Sequence, residues 1–314
     1  MRMKALLVLG LTMATLPALA EDAADIYRKA FDAAVADPFN DTAGAAFKAL
    51  LPKVKSNFGP EQERYVIEGD MVLSDEEVTT YLIQKRQAKE LEEKAAADAA
   101  VELPKETELI VMRQLDGRKA RWPLGQRTLR YAVIKSTFPD DGSYQAVLDD
   151  LSNATTDWQQ VCESCQIVFE HQTEFDGIAW EEYKQRAAAD ELRFIVIYNG
   201  DADGPIASAF FPNEPWQDRL VSVFPDYFSL GDTYTGRGVL RHELGHVLGY
   251  RHEHTRGIVG CTFEDSNWLP VTPYDPKSVM HYWCGDAGTR ELSLSDKDQS
   301  GHRSNYDPAV DGTD

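Results

Sequence analysis

The sequence predicts an α+β protein in which a mostly helical N-terminal region precedes a body of mixed strands and helices. Two observations carry this. Up to about residue 105 the chain is rich in Ala, Glu and Lys, and from about Glu106 strand-like runs of β-branched and aromatic residues begin. In the later part those runs surround one amphipathic helix and lead into a helix that carries histidines.

The elements follow in order. Residues 1–20 hold basic Arg2 and Lys4, an apolar run, and Ala18-Leu19-Ala20 ahead of Glu21, the pattern of a secretory signal with a small-residue cleavage site. The apolar run is too short for a good membrane span. Residues 21–105 read as a helical region and linker. Within it, Ser74-Asp75-Glu76-Glu77 is a capping box ahead of Val78, Tyr81 and Leu82 at helical spacing. From Lys85 to Ala100 the apolar face gives way to Ala and charge, as in a solvated helix or linker. Residues 106–314 form the second domain. Residues 128–134, 166–170 and 192–198 have strand composition, and Val147, Leu148, Leu151, Ala154 and Trp158 mark an amphipathic helix between the first two. Residues 206–211 and 220–224 read as two more strands.

The 314 residues carry a formal net charge of -20. Such a surface disfavours nucleic acid and anionic membranes and favours solubility; a monomer without stable membrane insertion is expected. Export implies an oxidising compartment, so the four cysteines are expected as two disulfides. Cys162–Cys165 with Cys261–Cys284 is the default pairing, and crossed bridges remain open.

Residues 242–252 read H-E-x-x-H-x-x-G-x-x-H. Val239, Leu240, Leu244, Val247 and Leu248 give this stretch helical periodicity, so His242 and His246 share one face one turn apart. Gly249 sits where the helix should stop, because glycine accepts the left-handed backbone of a helix C-terminus. The chain can then turn and return His252 as a third ligand. Three imidazoles leave a position for water, the pattern of a catalytic zinc. Glu243, next round the helix from His242, is placed to act as general base in metal-assisted hydrolysis.

Downstream, Tyr274-Asp275-Pro276-Lys277-Ser278-Val279-Met280-His281-Tyr282 contains S-V-M-H-Y. The long histidine motif followed by a methionine turn resembles the metzincin metallopeptidases. His252-Glu253-His254-Thr255-Arg256 and the Tyr274–Tyr282 stretch look most like the astacin branch. The resemblance implies a mixed twisted sheet with an active-site helix, a Met-turn subdomain, and a helical pro-region ahead of them. It implies Met280 as a hydrophobic floor, Tyr282 as an oxyanion-stabilising phenol, and Glu253 as the acceptor of a processed N-terminus. Residues 203–212 resemble instead the matrixin loop and edge strand, with Ser208 where a zinc-binding His normally stands, so no second zinc is expected. Asn199, Asp201 and Asp203 could offer oxygens to a structural calcium or form a polar turn. An edge strand here could grip an extended peptide by strand addition.

No Cys precedes Cys162, which excludes a cysteine-based latency device. Ile67-Glu68-Gly69-Asp70 resembles the astacin motif whose Asp ligates zinc in the zymogen, so Asp70 is a candidate latency ligand, with an ordinary turn as the alternative. Arg113, Arg118, Lys119 and Arg121 offer processing points. His254 and His281 are expected beside the site, and His171 and His302 in solvent. The expectation is a secreted or periplasmic zinc endopeptidase acting on protein or peptide substrates. Its alternative is a zinc-binding, protease-like module devoted to one partner, and specificity would reside in loops around Trp283 and Tyr250.

Overall fold

The computed structural model describes residues 17–97, 109–114, 116–256, 258, 261 and 268–311. Most of the expected signal segment and the boundary near residue 105 lie outside the described residues. The chain forms two compact units, Met1–Leu50 and Leu51–Asp314.

In the first unit, α1 (Pro17–Ala36) and α2 (Asp41–Lys48) pack together. Tyr27 and Phe31 close on Phe47 with ring centroids 5.6 and 5.4 Å away. Asn40 caps α2 by accepting the Ala43 amide.

The second unit opens with an antiparallel sheet of β1 (Lys53–Lys55), β2 (Glu63–Ile67) and β3 (Met71–Leu73). This corrects the helical reading of the region in part, since three strands interrupt it. Val54 and Val66 bury themselves together with Phe224 from the later part of the chain, a contact no local pattern announces. The β2–β3 turn places Glu68 at φ 54° and Gly69 at φ 95°. The expected capping box forms, with Ser74 and Glu77 bonded at 2.6 and 3.3 Å, and α3 (Asp75–Ala97) follows. From Lys85 on, Arg86, Gln87, Lys89 and Glu90 are exposed as expected, but Lys85 and Ala88 are buried.

β4 (Ile110–Met112) precedes a five-stranded sheet of β5 (Thr128–Val133), β6 (Val168–His171), β7 (Phe194–Tyr198), β8 (Ala207–Ser208) and β9 (Leu220–Val223). The spatial order is β6-β5-β7-β9-β8, with only β8, at the edge, antiparallel. Parallel neighbours need long crossovers, which α4 (Asp141–Gln159) and α5 (Trp180–Ala188) supply. α5 was not anticipated. Against α4 lies α6 (Gly236–Val247), and the Trp158 indole donates to the Arg241 carbonyl at 2.9 Å. β10 (Trp268–Pro270) pairs with β4, and α7 (Asp296–Tyr306) and α8 (Pro308–Asp311) finish the chain. Disulfides join Cys162 to Cys165 and Cys261 to Cys284, the default pairing.

Two histidines expected in solvent are not there. His302 is fully buried beside Trp158, with Nδ1 2.9 Å from the Tyr250 hydroxyl. His171 is partly buried, stacked on Tyr131 and bonded to Asp176 at 2.9 Å.

Candidate metal centre

Thr235 starts α6 by accepting the Gly238 amide at 3.1 Å. One turn apart on the buried face, His242 and His246 are 3% and 2% exposed. The helix ends as the sequence suggests. Gly249 has φ 93°, and its amide donates to the His246 carbonyl at 2.7 Å. A Cβ at Gly249 would overlap the Ala120 carbonyl oxygen, so glycine is required both for conformation and for space. Met112 then donates to the Gly249 carbonyl and Arg251 to the Ile110 carbonyl, each at 2.8 Å. This lays the turn along β4 and carries His252 back to the other two imidazoles.

His252 Nε2 lies 3.1 Å from His246 Nε2. Asp70, from the β2–β3 turn, brings Oδ2 within 2.9 Å of His252, 3.2 Å of His242 and 3.5 Å of His246. These four donor groups lie within 4.8 Å of one another. On the far side of the rings, Nδ1 of His242 donates to the Val279 carbonyl and Nδ1 of His246 to the Tyr250 carbonyl, both at 2.7 Å. A carbonyl can only accept, so Nδ1 carries the proton and each Nε2 presents a lone pair inward. Asp70 Oδ1 and Glu243 Oε2 are buried with no protein hydrogen-bond partner. Two inward lone pairs, the Nε2 of His252 facing them, one carboxylate and orphaned oxygens beside them fit a zinc ion.

Charge is divided sharply here. Burial acts to raise the Asp70 carboxyl, but His252 and His246 outweigh it and hold the group well below the usual carboxylate range. Burial and then the Asp70 charge hold Glu243 well above that range. The Tyr282 phenol is raised too, by burial and then by Asp70. Its ring centroid is 4.4 Å from that of His252, and its hydroxyl donates to the Glu68 carbonyl at 3.4 Å. His254 stacks on both Tyr282 and His252, and His281 Nε2 meets the Tyr274 hydroxyl at 2.9 Å.

Met280 is fully buried under α6, where a Cβ at Gly245 would collide with its sulfur. Glycine between the two helical histidines therefore lets the methionine turn approach. Glu253, also buried, ties the third-histidine loop to that turn, its amide donating to Met280 O and its Oε1 accepting from Asp275 N. Sequence reading missed Asp298, which accepts from Ser278 Oγ at 2.6 Å, Val279 N at 2.8 Å and Ser295 N at 3.0 Å. Its signal was the spacing Ser295-x-x-Asp298, a capping box that also pins the methionine turn.

A cavity of about 380 Å³ adjoins the centre, with Val239, His242, Glu243, Tyr234, Leu292 and Trp283 in its wall. Trp283 is 58% exposed at that wall, whereas Tyr250 is a core residue stacked on Trp158, which corrects the expectation that it shapes specificity. Of the two readings of Asn199, Asp201 and Asp203, the polar turn is the one the contacts support. Asn199 and Asp201 direct their oxygens to the amides of Asp201, Asp203 and Lys55, as in a polar turn. A second grouping, His254, His281 and Cys284, has its sulfur committed to a disulfide.

Dorsal-ventral patterning protein tolloid of Drosophila melanogaster is 36% identical over 73 residues, covering 17% of this chain and 7% of that protein. Zinc metalloproteinase nas-2 of Caenorhabditis elegans is 39% identical over 59 residues, covering 15% of this chain and 20% of that protein. The chain thus spans a small part of either relative's length. Among solved structures, myroilysin superposes at TM-score 0.39 with 15% identity, covering 63% of this chain and 98% of that one. No family model matches the chain. Over short segments, then, the chain is similar to a zinc metalloproteinase and to tolloid.

Proposed function

We propose that this chain is an exported zinc-dependent endopeptidase whose metal centre is blocked by Asp70 of the β2–β3 turn until the N-terminal region, residues 21–105, is cut away. The observation that carries it is the convergence of Nε2 of His246 and His252 and Oδ2 of Asp70 within 2.9–3.5 Å of one another, with His242 Nε2 at 3.2 Å from the same oxygen. His242, His246 and His252 would hold zinc, and Asp70 would take the place that water needs. Zinc, when bound, supplies Lewis acidity and brings the pKa of water to about 7.

The chain's own groups do the rest. Glu243 accepts a proton from the attacking water while the water oxygen bonds to the peptide carbonyl carbon, and returns that proton to the leaving amine nitrogen as the C–N bond breaks. The Tyr282 hydroxyl donates to the carbonyl oxygen as it gains charge. The Val279 and Tyr250 carbonyls keep the imidazoles aimed inward. Asp70 opposes this by occupying the centre, and its charge adds to burial in raising the Glu243 carboxyl. Export is supported by the two disulfides. Among the described residues no helix is long and apolar enough to cross a membrane.

Casein cleavage by the zinc-loaded chain, before and after limited proteolysis of the N-terminal region, tests the reading. Activity should appear on proteolysis, vanish with chelator and return with zinc. Glu243→Gln should retain zinc and lose about 10²–10⁴-fold in rate. Equal rates in the two proteins would refute the mechanism.

A further inference from the structure

The turn that brings Asp70 to the centre belongs to a larger piece. Glu68, two positions before Asp70, accepts from Lys85 Nζ on α3 at 2.9 Å and from the Arg251 guanidinium, so β2, β3 and α3 carry the turn together as one cover. At a second seam this cover meets the body of the chain through acids. Arg64 of β2 donates to Asp218 Oδ1 at 2.5 Å, and its Nη1 is 3.7 Å from Glu77 Oε2 on α3. Glu77 Oε2 also accepts the Ser74 amide. A cavity of about 240 Å³ is lined by Glu76, Glu77 and Thr80 of α3 and, from the segment ahead of β9, by Glu214 and Asp218. Arg219 is a further cation nearby, donating Nε to the Glu214 carbonyl at 2.9 Å and lying over the Trp122 ring. Among the described residues, Glu77 Oε1 and Arg64 Nε are buried with no protein hydrogen-bond partner.

We propose that this seam is a pH-sensitive latch: Glu77 of the cover and Glu214 of the body stay together while protonated and repel once both ionise, so the cover over the metal centre loosens as pH rises. This rests on the reading of the N-terminal region as a displaceable cover. Burial and then the Asp218 charge raise the Glu77 carboxyl, against Arg64 and hydrogen bonds from Ser74. Burial and then the Glu77 charge hold Glu214 well above the usual carboxylate range, with Asp218 adding to the rise and Phe211 and Arg64 opposing it. Two acids in one partly buried seam disfavour each other's charged form. When the cover leaves, water reaches both, and each returns toward its ordinary value of 4.5. The covered state thus binds more protons than the parted one. Its hold is complete below about pH 4.5 and is lost as pH climbs through the raised values.

The test uses the full-length, zinc-loaded chain, cut beyond α3 by limited proteolysis and then diluted at about pH 5.5, 7 and 8.5. Gel filtration reads the fraction of cover still attached. The dissociation constant of the parent should rise about tenfold or more from the lowest pH to the highest. Glu214→Gln keeps the shape of the neutral acid, so its ratio to the parent removes whatever the imidazoles contribute. That ratio should be near one at the lowest pH and favour the variant about tenfold at the highest. Glu77→Gln, which can still accept the Ser74 amide, should behave alike. A merely structural role would shift retention equally at every pH. A constant ratio in either variant, or a parent cover that is retained equally at all three pH values, overturns the latch. Casein cleavage by the same samples is scored separately. Release with this pH pattern but no cleavage supports the latch and overturns the peptidase reading, whereas cleavage with a pH-independent release overturns the latch alone.

Discussion

Gly249→Ala isolates the device that brings the third histidine home. At φ 93° an alanine meets the left-handed penalty of about 1–2 kcal/mol. Its Cβ also overlaps the Ala120 carbonyl oxygen, a backbone atom held in place because Ala120 donates to Met112 O at 2.8 Å. Forced overpacking of this kind adds about 1–3 kcal/mol. Gly117→Ala is the internal control, with φ 85° and nothing within 4 Å of the added carbon, so it carries the backbone penalty alone. Urea unfolding with chelator present gives both values. All six tryptophans lie beyond Leu50, so their fluorescence follows the unit that carries the site. Gly249→Ala should lose about 2–5 kcal/mol and Gly117→Ala about 1–2 kcal/mol. Because the displaced turn carries His252, competition with a chromophoric chelator should show zinc affinity down on the order of 10–100-fold in Gly249→Ala only. Equal destabilisation in the two variants with unchanged zinc affinity would refute the reasoning.

Asp70→Ala in the full-length, zinc-loaded chain should raise peptide cleavage about tenfold or more without any proteolysis, and an unchanged rate would remove Asp70 from latency. Burial raises the Asp298 carboxyl to about 6. A raised carboxyl stabilises the fold fully below its ordinary value near 3.8 and loses that contribution as pH climbs through about 6, about 3 kcal/mol in all. Wild-type stability relative to Asp298→Asn, in chelator, should therefore fall between pH 4 and 6.5, and a flat difference would contradict it. Replacing both Cys261 and Cys284 by Ser opens a bridge of sequence separation 23 and should cost about 3 kcal/mol in the same unfolding assay.

The parts of this site that a sequence reader could find are those set by short spacing. His242 and His246 follow from helical period, and the stop at Gly249 follows from its backbone freedom. The five strands of the main sheet likewise showed in their composition, with ends shifted by a few residues. What escaped depends on contacts between distant residues. β1 and β2 owe their burial to Phe224, Lys85 owes its burial to Glu68, and Asp298 reaches the methionine turn from a helix start that looked like any other. His302 looked like a solvent histidine because nothing nearby in sequence shows that Trp158 and Tyr250 will enclose it. The sequence of Asp70 pointed to the metal, but the charges that seat its turn came from Arg251 and α3.

That turn is part of the same chain as the imidazoles it meets, and this sets how release must work. A tethered ligand competes at an effective concentration of about millimolar, whatever the protein's own concentration. A cut beyond α3 ends the tether and makes the encounter bimolecular. Asp70, Glu68 and the helix that supports them then stay bound in a concentrated store and leave on dilution. Cutting and activation become separate events, with the volume into which the protein is released deciding how soon the second follows the first.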